Sequence, residues 1–186
     1  MLNCGFDRPM KSSFATGVVV ALLAACSSSA NKVENASGLA ANRIGFAPLE
    51  HGADHSTYEK MNKTAFVSPT HGKRFVDVFV NQVGAAAYKS NEAEFPVGTV
   101  IVKTSRESEN GVATDIPGPT FVMVKKTNGF APDRNDWWYA LHWEKVPAKW
   151  QAAMGAEKVY WRSPSSKVDY CWQCHENYSR EIGGLP

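Results

Sequence analysis

The chain has few cysteines, no excess of either charge and no long apolar run. Lys and Arg number 20 against 18 Asp and Glu, which gives a formal net charge of +2. The strongly basic surface that nucleic acid binding needs is therefore not expected. The main apolar run, Phe14 to Ala25, is shorter than the roughly 20 residues of a transmembrane helix. With 4 cysteines in 186 residues, packing rather than a disulfide framework must hold the fold.

The N-terminus is typical of a secretory signal. Positive residues precede the apolar run, which ends in Leu23-Ala24-Ala25-Cys26. These residues resemble a bacterial lipobox, in which cleavage occurs before a cysteine that carries a diacylglyceryl group. Ordinary cleavage after Ala25, leaving a soluble periplasmic protein, is the alternative. We predict a lipoprotein-type signal peptide over residues 1–25 and export to the periplasmic face of a bacterial membrane. Cys26 would be the lipid anchor, with the outer membrane as the expected location.

The rest of the chain has the length of one domain. Residues 26–45 are rich in Ser, Ala, Asn and Gly, a composition typical of a flexible tether. Residues 46–186 are long enough for one domain with a real core. Loss of the signal leaves a net charge of about +1, with Lys and Arg scattered along the chain. We therefore expect no nucleic acid partner.

The strongest motif is Cys171-Trp172-Gln173-Cys174-His175. Two cysteines two residues apart, followed directly by histidine, are the signature of covalent c-type haem attachment. On a helix both sulfurs lie on one face, so both can bond to one edge of a porphyrin, and His175 then lies under the iron. A redox dithiol, a zinc half-site and a disulfide are the alternatives. The zinc site lacks further ligands at similar spacing, and the dithiol lacks a preceding strand. The export signal favours haem further.

Downstream of residue 73 the sequence predicts strands joined by short polar loops. Val, Ile and aromatic residues are dense in residues 74–80, 99–103, 121–125 and 137–143, with Tyr160-Trp161 as a short fifth strand. Asn81 is a candidate N-cap for a short helix, residues 104–114 indicate a loop, and Pro164 with Ser165 or Ser166 begins the haem-motif helix. The pattern predicts an α+β fold with a predominantly antiparallel sheet of four to five strands. A few helices complete it, and one haem c lies on the C-terminal helix.

These stretches resemble the cytochrome P460 family, which includes the β-type cytochromes c′. The resemblance covers about residues 73–177. It rests on Phe95 to Lys103, Phe121 to Lys125, Asp136 to Tyr139 and Cys171 to His175. It implies an antiparallel sheet and one covalent haem c, whose iron has histidine on one side and an open site on the other. P460 proteins oxidise hydroxylamine and β-type cytochromes c′ bind nitric oxide, so one of these is the implied ligand. Residues 179–186 depart from the acidic and aromatic segment usual in the family.

Two positions bear on which activity the resemblance implies. Lys103 matches the strand lysine that is cross-linked to the porphyrin in P460 proteins, and a solvated strand lysine is the alternative. The carboxylate that accepts protons in P460 proteins falls at Phe121, and a phenyl ring cannot accept a proton. Phe121 would then be an apolar distal cap that favours nitric oxide. If the alignment shifts across residues 104–119, Asp115 and Glu107 are the alternative carboxylates.

Other side chains leave alternatives to an open haem site. Met123 or Met154 as a second iron ligand would give a plain electron-transfer cytochrome. His51, His55 and His71 invite a metal or second-haem hypothesis, but their spacing fits no common zinc pattern and a solvated surface is favoured. A haem-binding or sensing module without turnover is a third function.

The resulting hypothesis is an exported mono-haem c-type cytochrome that binds or oxidises nitric oxide or hydroxylamine. Oxidation of hydroxylamine as an enzyme is left open. Cys171, Cys174 and His175 would hold the haem, with His175 on the iron, while Lys103 would be a possible cross-link to the haem and Phe121 the distal cap. A redox partner protein and the membrane, through the lipid anchor, are the expected partners, and a homodimer is a further option. Most large aromatic residues should lie in the core, with Trp172 facing the surface.

Overall fold

The computed structural model describes residues 45–90 and 94–175. The predicted signal peptide (1–25), the tether as far as residue 44, the anchor Cys26 and the divergent residues 179–186 lie outside the described residues. Within the described ranges, no helix has the length and apolar character needed to cross a membrane.

An eight-stranded antiparallel sheet dominates the described part of the chain. Its strands are β1 (Glu59–Lys60), β2 (Phe66–Ser68), β3 (Arg74–Val80), β4 (Val100–Glu109), β5 (Val112–Pro117), β6 (Thr120–Lys125), β7 (Trp137–Trp143) and β8 (Val159–Arg162). The main order is β1-β3-β4-β6-β7-β8, with β2 also paired to β3 and β5 to β4. Every pairing is antiparallel. The predicted α+β class with an antiparallel sheet is confirmed.

Three α-helices accompany the sheet in residues 45–90 and 94–175. They are α1 (Gln82–Lys89), α2 (Ala148–Met154) and α3 (Asp169–His175). Helix α1 begins where the sequence predicts, because the Asn81 side-chain oxygen accepts a hydrogen bond from the Gly84 backbone N–H at 3.2 Å. Helix α3 follows a 3-10 turn, and Ser165 Oγ accepts a hydrogen bond from the Lys167 backbone N–H at 3.2 Å. The helix that carries Cys171 and Cys174 is thus confirmed.

The sheet has three more strands than the prediction of four to five allows. Strands β1 and β2 have two and three residues, too few to leave a periodic pattern. Strand β5 arises in the segment predicted as a loop, because β4 continues to Glu109 and turns back at Asn110-Gly111. Both turn residues have positive φ, 51° and 78°. Asn-Gly is a favoured two-residue hairpin turn. The sequence of this polar segment therefore contained an indication of a hairpin.

Alternate residues of the central strands contact two different layers. On one side, six apolar residues form a core cluster that we call the packed face: Val100, Val102, Val122, Val124, Trp138 and Ala140. On the other side, neighbouring residues such as Ile101, Met123 and Tyr139 pack toward α3. Because both faces are covered, all seven residues of β7 are buried.

The chain before β1 covers the packed face. Ala47 and Leu49 pack against it, and the His142 ring donates a hydrogen bond from Nε2 to the Ala47 carbonyl at 3.0 Å. The Glu50 backbone N–H donates to the Tyr160 hydroxyl at 3.0 Å, and Arg162 Nε pairs with the Glu50 carboxylate at 2.7 Å. A segment without clear periodicity in the sequence is therefore part of the core.

The large aromatic residues mostly supply core area, as predicted. Trp137, Trp138 and Trp143 are no more than 5% exposed. The prediction for Trp172 is wrong, since this side chain is partly buried and packs against the core cluster beside Cys171. Because α3 lies on the sheet, a residue between the two motif cysteines also reaches the core.

Candidate functional site

A cavity of about 290 Å³ lies between the sheet and α3. Five residues on its sheet side, which we call the cavity face, share one side of the strands: Ile101, Lys103, Phe121, Met123 and Tyr139. Val122 and Ala140, next to them in sequence, also border the cavity. Its helix side consists of Tyr170, Cys171, Cys174 and His175. Its rim comes from the β2–β3 connection, with Phe66, Ser68, Pro69, Thr70 and His71. The three motif residues, the predicted cross-link position Lys103 and the predicted distal cap Phe121 therefore line one space.

Antiparallel register assembles the cavity face. Lys103 of β4 pairs with Phe121 of β6, and Ile101 pairs with Met123 in the same ladder. Met123 pairs in turn with Tyr139 of β7. Since side chains alternate across a strand, residues two apart share a face. Two cross-strand rows on three strands thus build the surface opposite α3.

Cys171 and Cys174 reach the cavity as free thiols. Cys171 is half-buried and Cys174 is exposed. Burial raises the pKa of the Cys171 thiol to about 12, against smaller opposing effects of its hydrogen bonds and of Lys103. A redox dithiol needs a thiol of lowered pKa, so this environment does not favour that alternative. Two thiols on one helix face suit thioether formation.

His175 ends α3 and is only 6% exposed. Its ring centroid lies 6.0 Å from that of Tyr139 and 6.4 Å from that of His71. A buried imidazole beside two free thiols, on one wall of a largely apolar cavity, is the donor set of a c-type haem. The residues present therefore fit this group.

Lys103 lies in the middle of the cavity face and is 8% exposed. Burial lowers the pKa of its amine to about 8, and nearby Cys171 acts in the opposite direction. A neutral amine, which is the nucleophilic form, is therefore more accessible than on a surface lysine. The alternative of a strand lysine that reaches solvent is wrong.

Phe121 lies in the cavity beside Lys103, and its ring centroid is 4.6 Å from that of His71. The alternative carboxylate Asp115 is exposed on β5 and does not line the cavity. Among the residues that the structure describes, no Asp or Glu lines this cavity. Phe121 therefore lies beside Lys103 and His71 and away from both alternative carboxylates, and its role as a distal cap stays a prediction.

The second alternative carboxylate, Glu107, is held in a separate cluster at the far end of β4. Its oxygens accept hydrogen bonds from Arg74 Nε at 2.6 Å, Trp150 Nε1 at 2.9 Å and Lys149 Nζ at 2.9 Å. Burial alone would raise the pKa of Glu107, but these hydrogen bonds and the Arg74 charge lower it below its ordinary value. Glu107 is thus an ionised structural group and does not serve a ligand in the cavity.

The two methionines considered as iron ligands differ in position. Met123 lines the cavity, but it is 5% exposed and belongs to the core cluster with Ile101 and Tyr139. Met154 ends α2 and packs against the cluster around Trp143, away from the cavity. Of the two, only Met123 has a position consistent with iron ligation.

Of the three histidines in the N-terminal part, only His71 lines the cavity. His51 Nε2 lies 2.9 Å from Lys126 Nζ, and the His55 ring contacts Phe79, so neither lines the cavity. His71 does line it, and the predicted solvated surface is wrong for this residue. Burial, followed by the charge of Lys103, lowers the pKa of His71 to about 2. In residues 45–90 and 94–175, no three His, Cys, Asp or Glu side chains cluster in a way that would hold a metal ion.

The signal that could have identified His71 is its local sequence. It lies between Pro69 and Gly72, just before a strongly predicted strand. A Pro- and Gly-bounded turn at the start of a strand places its residues at the edge of the sheet. Because β2 has only three residues, no sequence pattern indicates that this turn closes a hairpin over the cavity.

Comparison with known proteins supports the resemblance. The family model for cytochrome P460 matches residues 54–181, which is well over half of the chain. No curated protein matches the sequence. The matched stretch contains every cavity-lining residue described above.

Proposed function

The chain belongs to the cytochrome P460 family, and from this membership we propose that it is an exported mono-haem c-type cytochrome that binds small nitrogen species. Nitric oxide is the favoured ligand. One observation carries the proposal: Cys171, Cys174 and His175 form one wall of a cavity, and no acidic side chain lines that cavity among the described residues.

The motif residues would divide the work of holding the haem. Cys171 and Cys174 lie about one helical turn apart and would bond to the porphyrin edge through their sulfurs. His175, buried at the end of the same helix, would bind the iron. When bound, haem supplies a redox-active iron with a coordination position for a small ligand. Cys171 and Cys174 would keep it in place without a deep enclosing pocket.

The cavity face would select among ligands. Ile101, Phe121 and Met123 offer no hydrogen bond to replace lost water, so a strongly hydrated ligand loses free energy where it contacts these three side chains. Nitric oxide is neutral and weakly hydrated, whereas oxidation of hydroxylamine also requires an acceptor for its protons. The absence of a carboxylate among the described lining residues therefore supports ligand binding over turnover.

The cross-link implied for Lys103 stays a prediction. Its support is the buried position on the cavity face and an amine pKa of about 8. A cross-linked Lys103 would favour the hydroxylamine-oxidising chemistry of P460 proteins, and an unmodified one would favour nitric oxide binding.

Titration of the detergent-purified, reduced full-length protein with nitric oxide tests the function. We expect a saturable shift of the Soret band and little hydroxylamine oxidation with an artificial electron acceptor. Phe121→Glu is the matched variant because it places a carboxylate on the cavity face. This variant should oxidise hydroxylamine faster than the wild type. A wild-type protein that turns over hydroxylamine but gives no nitric oxide adduct would contradict the proposal.

The proposal includes the cellular location and the partners. Residues 1–26 support export and lipid attachment at Cys26, and the cytochrome would exchange electrons with a redox partner protein at the periplasmic face of the membrane, expected to be the outer membrane. Cell fractionation with Cys26→Ser tests this. The wild type should sediment with membranes and the variant should not. A wild type that stays in the soluble fraction would refute the anchor, and sedimentation velocity would measure whether a homodimer forms.

A further inference from the structure

Two histidines line the same cavity from different elements. The ring centroids of His71, on the β2–β3 connection, and His175, at the end of α3, are 6.4 Å apart, and the ring planes are inclined at 76°. Two imidazoles bound on opposite sides of one metal ion also have ring centres roughly 6 Å apart, since each metal–nitrogen bond is about 2 Å long. The spacing of His71 and His175 is therefore close to what a shared ion requires.

We propose that His71 is a second protein ligand of the haem iron, displaced when nitric oxide binds. The resting site would then be closed by a protein side chain rather than open. This inference rests on the proposed function, because it presupposes a haem held by the motif at Cys171 to His175. It adds a residue outside the motif and a ligand-exchange step to that function.

The Nδ1 atom of His71 lies within hydrogen-bonding distance of side-chain hydroxyl groups. Ser68 Oγ lies 2.6 Å from His71 Nδ1, and Thr70 Oγ1 lies 3.3 Å from the same atom. A metal-binding histidine commonly donates the N–H of its second nitrogen to a nearby acceptor, which fixes the tautomer and the ring orientation. In the tautomer in which Nδ1 donates to Ser68 Oγ, the lone pair of Nε2 is left for the iron.

The backbone at His71 is also fixed. Pro69–His71 forms a 3-10 turn, and it ends at Gly72, whose φ of +78° glycine adopts without strain. Arg74 Nη1 donates a hydrogen bond to the His71 carbonyl at 3.2 Å, and Arg74 Nε is bonded to buried Glu107. The main chain is thus anchored by a buried ion pair.

The side chain of His71 differs from that of Met123 in its freedom to leave the cavity. Met123 is enclosed in the core cluster, whereas His71 is only partly buried on the tip of a hairpin. Rotation of the imidazole toward solvent would open the iron position without moving a strand. His71 is therefore a stronger candidate than Met123 for a displaceable ligand.

Electron paramagnetic resonance and optical spectra of the purified holoprotein test the assignment. His71→Ala is compared with His55→Ala, which removes a partly buried histidine outside the cavity. We expect low-spin ferric iron in the wild type and in His55→Ala, and high-spin iron in His71→Ala, which added imidazole converts to low-spin. If about a tenth of the wild-type protein is open at rest, His71→Ala should bind nitric oxide about tenfold more tightly.

Each other outcome overturns the inference in a recognisable way. High-spin wild-type iron, unchanged in His71→Ala, would remove His71 from the iron while leaving haem and nitric oxide binding intact. Low-spin iron that is lost only in Met123→Ala would assign the ligand to Met123. Low-spin iron that nitric oxide does not displace would contradict the exchange step. A colourless wild type would refute the proposed function itself. Thermal unfolding of each variant shows that a spectral change does not reflect unfolding.

Discussion

The two faces of the central strands are built from neighbouring residues with different tasks. On the packed face, Val102 and Val122 are at most 1% exposed and belong to an apolar core cluster. On the cavity face, the adjacent Lys103 is also buried but lies beside thiols and an imidazole. Because side chains alternate along a strand, the adjacent β4 residues Val102 and Lys103 belong to the packed face and to the cavity face, respectively. Mutations on the packed face should therefore change mainly stability, and mutations on the cavity face should change mainly the haem site.

The largest expected effect concerns the helix that closes the cavity. Replacing Cys171 and Cys174 together by alanine should abolish covalent haem attachment, since both thioether bonds are lost. Cys171 and Cys174 lie on α3 and the packed face forms a separate core cluster, so the sheet should still form. Haem staining of the denatured protein and far-ultraviolet circular dichroism measure the two results. Haem that stays attached in the double variant would exclude these cysteines as the attachment site.

The next effect concerns the far end of β4, where Glu107 forms a buried ion pair with Arg74. Glu107→Ala leaves Arg74 buried without its carboxylate, and we expect a loss of about 3–5 kcal/mol in the free energy of unfolding. Glu109→Ala is the matched control, since this residue lies on the same strand and is exposed. Chemical denaturation measures both variants. Equal losses would show that the buried ion pair does not stabilise the sheet.

The same carboxylate predicts a pH dependence. The folded-state pKa of Glu107 lies below its ordinary value of 4.5, so the folded state binds fewer protons than the unfolded state in this range. Its contribution is complete above about pH 4.5 and is lost as the pH falls through the lowered pKa. Denaturation of the wild type and Glu107→Gln between pH 7 and pH 3 measures it. The variant should lose less stability than the wild type over this interval.

A smaller effect separates the two faces directly. Val102→Ala should lower the free energy of unfolding by about 2 kcal/mol, from lost apolar area and a residual cavity, and leave the haem spectrum unchanged. Lys103→Met keeps the length of the side chain but removes the amine, so it should change the spectrum with a smaller loss of stability. Denaturation curves and reduced spectra distinguish the pair. The opposite pattern would mean that the faces have been assigned wrongly.

The smallest effect concerns the support of His71. Ser68→Ala removes the partner of Nδ1, and a hydrogen bond of this kind contributes about 1 kcal/mol. The ratio of high-spin to low-spin iron should rise about fivefold by the same measure. Ser56→Ala, at an exposed position, is the control. Spin-state quantification by magnetic resonance would show whether Ser68 matters, and no difference from the control would remove it from the site.

Local signals account for the parts of the fold that were predictable. Strand β7 occupies residues 137–143 as predicted, because a continuous run rich in aromatic and apolar residues favours a strand buried on both faces. Helix α1 follows Asn81 because a side-chain cap is a local interaction. Cys171, Cys174 and His175 are close in sequence, so their grouping needed no knowledge of the sheet.

The parts that the sequence did not reveal depend on tertiary contacts. His71 reaches the cavity through a three-residue pairing of β2 with β3, and that pairing has no sequence period of its own. Trp172 is partly buried because α3 lies against the sheet. The cover over the packed face consists of irregular chain held by contacts such as Ala47 with His142. Such features follow from the assembled sheet rather than from propensity.

The most direct test of the central claim is the mass of the peptides from protein matured in a bacterium competent for cytochrome c assembly. We expect one haem, bonded to the peptide that contains Cys171 and Cys174, together with the spectrum of a c-type cytochrome. A peptide with Lys103 on the same haem would add the cross-link. A colourless protein whose Cys171 and Cys174 peptide carries no haem would contradict the claim.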